Sequence, residues 1–147
     1  MTHTIMSTAT RIPAFSADEL AELRRGWELI VPIADEAAQL FYARLFELSP
    51  SLRPLFHHEP AAQREKFVQA LEQVVLCAGR PNDLLGMLRG LGERHMAYGV
   101  RPEHYAVACE ALLWTLDEGL GIASTREARN AWVAAYEFVA TAMSRRT

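Results

Sequence analysis

Cysteine is scarce in this chain: among 147 residues only Cys77 and Cys109 occur. They lie far apart, each inside an apolar helical pattern, so two reduced core thiols are expected rather than a disulfide scaffold. Charge of one sign is lacking as well. A formal net charge of -3 gives no electrostatic reason to expect nucleic acid or an anionic membrane surface as a partner. No apolar stretch reaches the about 18 residues that mark a membrane-spanning helix. The opening MTHTIMSTATRIPAF has no basic start leading into an apolar run, so it does not read as a secretory signal and cytoplasmic residence is the expectation. Alternating apolar and polar runs punctuated by hairpin turns are also missing, which removes the argument for a sheet.

What is present is helical periodicity in an all-α chain that is 50% hydrophobic. Its length suits one domain burying about 68–70% of its unfolded surface. Residues 1–15 read as an N-terminal extension without order of their own, and residues 16–147 as that domain. Ser16 followed by Glu19 predicts a capping box opening a helix that Pro32 interrupts near Val31. A second helix is expected from about Ala34 to Leu48, with Ala37, Ala38, Phe41, Tyr42, Leu45 and Leu48 on one side. Ser49-Pro50 opens a short turn of helix, and Arg53 to Pro60 reads as a corner. Phe67, Ala70, Leu71, Val74, Val75 and Ala78 predict a long core-facing helix from about Pro60 to Ala78. Leu84, Leu88, Leu91 and His95 step by four, three and four along the next, which Gly99 closes. Pro102 to about Leu120 reads as one continuous helix, and Ala128 to Met143 carries the last.

Polar residues on these buried stripes need partners, because an amide or imidazole removed from water without one costs on the order of 1–3 kcal/mol. His95 is the sharpest case. It reads either as a core histidine donating to a backbone carbonyl or as a metal ligand. Gln63, four residues before Phe67, and Tyr42 lie on the inward sides of two other helices, where each reads alone as a boundary residue with its polar tip in solvent. Taken together they are one candidate ligand and two hydrogen-bonding groups on three helices.

Three stretches, LFYARLFELSPSLRPLF, LGERHMAYGVRPEHYAVACEALL and Ala131-Trp132 with Tyr136, make the chain resemble the globins from about Asp18 to Met143. The closer likeness is to bacterial single-domain globins related to the globin domains of flavohaemoglobins. The resemblance implies a globin fold with helices packed around a haem pocket, and His95 as the proximal ligand of the iron. It implies that Phe56 stacks against the haem, Tyr42 and Gln63 face the open coordination position, and Phe67 is their apolar neighbour. Lys66, Arg94 and Arg101 become candidate propionate partners, and Leu91 and Val100 further cofactor contacts. Tyr105 matches a proximal-side tyrosine whose glutamate partner is absent near Thr147, so packing or a single hydrogen bond is expected of it.

The absence of CxxCH makes the cofactor haem b, held without covalent bonds. Implied ligands are dioxygen, nitric oxide and carbon monoxide, with oxygen storage or transport as the leading use. Conversion of nitric oxide to nitrate is the alternative, needing an external reductase because no flavin or NADH domain follows. A haem-free helical interaction module on the same scaffold is the competing reading from another class. The corner pair His57 and His58 is expected to be solvated or to touch a propionate rather than to bind a metal, and His104 to lie at the surface.

Overall fold

The computed structural model describes residues 15–56, 59–97, 99–122 and 125–144. Among them there is no strand. Six α-helices follow in order: α1 (Ala17–Ile30), α2 (Ala34–Leu48), α3 (Pro60–Cys77), α4 (Pro81–Ala97), α5 (Pro102–Trp114) and α6 (Arg126–Ser144). Short 3-10 turns, Val31–Ile33 and Pro50–Leu55, tighten the chain around its prolines, where an α-helical hydrogen bond would need an N–H that proline lacks. The capping box forms as expected, with the Glu19 amide donating to Ser16 Oγ at 3.0 Å and the Ser16 amide to Glu19 Oε1 at 2.8 Å. Gly99 takes φ +97°, a left-handed turn after α4 that favours glycine.

Two expectations are corrected. Leu48 is 39% exposed, because α2 ends there and the chain turns away at Ser49-Pro50 before anything can cover it. The helix starting at Pro102 does run to about Leu120, but not as α-helix throughout: it widens into a π-helical turn over Thr115–Gly119. Thr115 is buried, and its hydroxyl donates to the Ala111 carbonyl at 2.8 Å, a back-bond that loosens the normal ladder. The Leu120 amide then reaches back five residues to the Thr115 carbonyl at 2.9 Å. Thr115 and Leu116 are both buried in this turn.

The core divides in two. The larger part packs α1, α2, α5 and α6 around Leu23, Phe41, Leu112, Leu116 and Trp132, and the smaller joins α3, α4 and α6 through Val74, Leu84, Leu88 and Met143. Both cysteines are free, Cys77 buried and Cys109 half-buried. Glycine sets the closest crossing. A Cβ on Gly92 would overlap the backbone of Met143, lying 2.7 Å from its Cα, so α4 can lie this close to α6 only without a side chain there. Backbone cannot yield as a side-chain tip can. Gly92→Ala is expected to cost about 2–3 kcal/mol of overpacking strain, lowering the melting temperature by roughly 5–10 °C for a chain of this size; differential scanning calorimetry checks it.

Candidate functional site: a histidine-bearing cavity

Between the two parts of the core the stripes change character. On α4, Leu84 and Leu88 are fully buried while Leu91 and His95 are only half-buried, and on α3 Val74 and Val75 are buried while Phe67, Ala70 and Leu71 are not. The same stripes run out of packing partners because they border a cavity of about 340 Å³, within the range of pockets that hold small molecules and cofactors. All ten residues singled out as cofactor contacts line it: Leu91, Arg94, His95, Val100 and Tyr105 from α4 onward, Tyr42 from α2, Phe56 just after the Pro50–Leu55 turn, and Gln63, Lys66 and Phe67 from α3.

His95 is oriented by its own helix. Its Nδ1 lies 2.9 Å from the Leu91 carbonyl; a carbonyl can only accept, so Nδ1 carries the proton and donates. The lone pair is then on Nε2, the tautomer that a metal requires. Burial lowers the imidazole pKa, the Leu91 carbonyl pulls it up, and the Arg94 charge pushes it down again. Burial wins, and the ring is neutral. Because the unfolded chain takes up this proton more readily than the folded one, stability is lost as pH falls below the ordinary histidine value of 6.5. Haem-free protein is therefore expected to melt lower at about pH 5 than at about pH 7, with a smaller pH effect in His95→Gln.

The second polar pair is Tyr42 and Gln63. Gln63 Nε2 donates to Tyr42 Oη at 3.3 Å. An oxygen that accepts still holds its own proton, so the Tyr42 hydroxyl retains a donor for a guest. Burial raises its pKa, outweighing the opposing effect of the Gln63 bond, which keeps it protonated. Rings fix its position. Phe56 and Phe67 meet Tyr42 edge-on at centroid separations of 5.5 and 5.6 Å, and Phe41 stacks on Phe67 at 4.3 Å.

On the α5 and α6 side, Tyr136 Oη donates to the Tyr105 carbonyl at 2.7 Å, tying α6 to the start of α5. Burial pushes the Tyr136 hydroxyl pKa upward, with Cys109 and Tyr105 adding to it. Tyr105 itself is half-buried against Leu84, Leu88 and their neighbours, a packing role. His104 is a correction: it lines the cavity, and its Nδ1 accepts from the Arg101 amide at 3.0 Å, because the start of α5 has no better acceptor for that N–H. Arg101 does not line the cavity. It is exposed and paired with Glu103 at 3.3 Å. His57 and His58 lie outside the described residues, and among those described no cluster of three metal-ligating side chains occurs.

Sequence reasoning missed Phe41, Trp132 and Val139 as cavity walls, although each stands on a helical stripe. The walls fit a flat apolar ring bearing carboxylates: mostly hydrocarbon inside, one imidazole nitrogen free, and the cations Lys66 and Arg94 on exposed positions at the edge.

A six-helix protein with the neutral His95 at an apolar cavity, and a hydroxyl–amide pair lining the same space, belongs to the class of all-α cofactor binders. The globin family profile matches residues 39–143, and the chain belongs to the globin family. It is 32% identical over 139 residues to neuroglobin of Tetraodon nigroviridis, covering 84% of this chain and 87% of that one. It is 35% identical over 101 residues to a flavohemoprotein of Rhizobium meliloti (strain 1021), covering 67% of this chain and 25% of the relative. The chain thus spans about a quarter of the flavohemoproteins it matches. The fold matches a bacterial globin from Campylobacter jejuni with TM-score 0.78 at 17% identity, covering 88% of this chain and 94% of that one. It also matches a flavohemoglobin from Malassezia yamatoensis with bound FAD and heme, with TM-score 0.69 at 16% identity, over 90% of this chain and 36% of that one. Haem is the cofactor of this family.

Proposed function

We propose that this protein holds haem b through His95 Nε2 and reversibly binds dioxygen and other diatomic gases beside Tyr42 and Gln63. The observation that carries the reading is the fixed tautomer of His95: with Nδ1 donating to Leu91 at 2.9 Å, Nε2 keeps the lone pair of a residue that lines the same cavity as Tyr42. The haem iron would supply an open coordination position at which a diatomic ligand becomes polarised. Tyr42 offers a hydrogen bond to such a ligand, and Gln63 holds that hydroxyl in place. Phe56 and Phe67 exclude water, which makes the hydrogen bond stronger than it is in solution. Lys66 and Arg94 are suited to the propionates, and Leu91 and Val100 to the ring's apolar face.

Absorbance spectra of purified protein supplied with haem, in ferric, ferrous and carbon monoxide-treated samples, test the reading. A Soret band that shifts between the three is expected, and its absence would instead support a haem-free interaction module. The open cavity already speaks against that alternative, since Phe67, Leu71 and Leu91 are left half-buried around space that a cofactor-free core would have closed.

The similarity to flavohemoproteins favours one further reading, in which nitric oxide, dioxygen and one electron from an external reductase give nitrate. Nitrate formed from nitric oxide in single turnover and then sustained over many turnovers by a reductase that re-reduces the iron separates it from gas storage, which gives at most one equivalent. No helix among the described residues is long and apolar enough to cross a membrane, in keeping with a cytoplasmic protein.

A further inference from the structure

Tyr42, Phe56 and Gln63 face two spaces. Inside is the histidine-bearing cavity; outside lies a second cleft, of about 350 Å³, between α2, the Pro50–Leu55 turn and the start of α3. The outer cleft draws its polar groups from Arg53, Arg64, Gln39, Gln63 and Tyr42, and no carboxylate lines it among the described residues. We propose that this outer cleft is a binding site for a small monovalent planar oxyanion of the nitrate or nitrite kind, held by Arg53 and Arg64.

Two guanidiniums and two carboxamides supply the donors of an otherwise apolar hollow, and a guanidinium fork matches a planar oxyanion in both shape and charge. Both arginines are already positioned. Arg64 uses Nε to bind Asp35 Oδ1 at 2.7 Å, and Gln39 Nε2 binds the other oxygen of the same carboxylate at 2.9 Å. This anchors Arg64 and Gln39 on one wall. Arg53 places its guanidinium carbon 4.4 Å from the centre of the Phe46 ring, a cation–π contact that holds the group at the cleft while none of its N–H donors is spent on the ring's carbons. Asp35 offsets one of the two positive charges, so the cleft suits an anion of charge one.

These cations are surplus to the inner cavity. Lys66 and Arg94 line that space and not the outer one, while Arg53 and Arg64 line the outer one and not the inner. An oxyanion in the cleft would lie against the Gln63 side of the wall, next to the hydroxyl that faces a gas ligand. If the nitric oxide reading holds, nitrate released inside has a cationic exit directly behind Gln63; that use rests on the reading, whereas the anion site stands on its own lining.

The test is NMR of arginine Nε–H and glutamine side-chain amides in haem-loaded protein under carbon monoxide, as sodium nitrate replaces sodium chloride at constant ionic strength. Saturable shifts at Arg53, Arg64, Gln39 and Gln63 are expected, with affinity about tenfold or more weaker in Arg53→Gln. Arg53→Lys, which keeps the charge but loses the fork, should fall between. Arg80→Gln, which removes a distant arginine near Asp83, should leave affinity unchanged. Shifts that do not saturate, or unchanged affinity in Arg53→Gln, overturn the proposal. So does binding to haem-free but not to haem-loaded protein, which would make the cleft part of the cofactor's cradle. Saturable binding without nitrate formation from nitric oxide upholds the site and removes the dioxygenase reading. Nitrate formation without saturable binding does the reverse.

Discussion

His95→Gly is expected to weaken haem binding by more than about 100-fold and to remove the absorbance changes that accompany reduction and carbon monoxide. Altering a partner that merely orients a metal ligand typically costs 10–100-fold in affinity, so removing the ligand itself must cost more. The effect should not be mistaken for unfolding. His95 is half-buried at the cavity edge, and the side chains that hold α4 to the core are Leu84 and Leu88, both fully buried. Far-UV circular dichroism of the haem-free variant should therefore match that of the haem-free parent. The hole left behind is open to the cavity, so free imidazole should enter it and restore the Soret band. Rescue separates loss of the ligand from loss of the fold, because a small diffusible base cannot repair a misfolded core. An unchanged haem affinity in His95→Gly would place the iron ligand elsewhere.

The Leu84, Leu88, Leu91, His95 stripe was legible in the sequence because a period of 3.6 forces those side chains onto one face, whatever they pack against. The capping box at Ser16 and the helix limits at prolines and Gly99 were legible for the same local reason. What periodicity could not show was where a stripe stops facing core and begins facing empty space. Leu84 and Leu91 are equivalent in sequence, yet one is sealed and the other borders the cavity; only the spacing of α3 from α4 decides between them. His104 was misread as a surface residue because its burial depends on where α5 begins relative to α3 and α4. The π turn at Thr115 escaped notice because its cause is one buried hydroxyl choosing the Ala111 carbonyl, a choice set by tertiary packing. That Tyr42 and Gln63 could converge on one cavity followed from their inward placement on two helices, whereas their shared place opposite His95 came from family resemblance. Sequence separation of 21 residues says nothing by itself about their 3.3 Å contact.

Tyr42→Phe is expected to speed dioxygen release by roughly 10–100-fold, as a hydrogen bond to a partly charged acceptor in a dry site is worth about 1.5–3 kcal/mol. The change should appear mainly in the release rate, since the bond forms after the gas has entered and entry does not depend on it. Carbon monoxide, which takes up less negative charge, should be released with a much smaller change. The contrast between the two gases is the signature of a lost hydrogen bond as opposed to a widened exit, which would accelerate both. Packing should survive, because Phe56 and Phe67 meet Tyr42 through its ring, which the substitution keeps. Gln63→Leu provides the second half of the argument. It removes the donor that positions the Tyr42 oxygen while leaving the tyrosine proton in place, so dioxygen release should accelerate less than in Tyr42→Phe. In the double variant the two effects should not add: once the hydroxyl is gone, Gln63 has nothing left to position. Stopped-flow displacement of dioxygen by carbon monoxide measures all four proteins, and full additivity would show that Gln63 acts on the ligand independently of Tyr42.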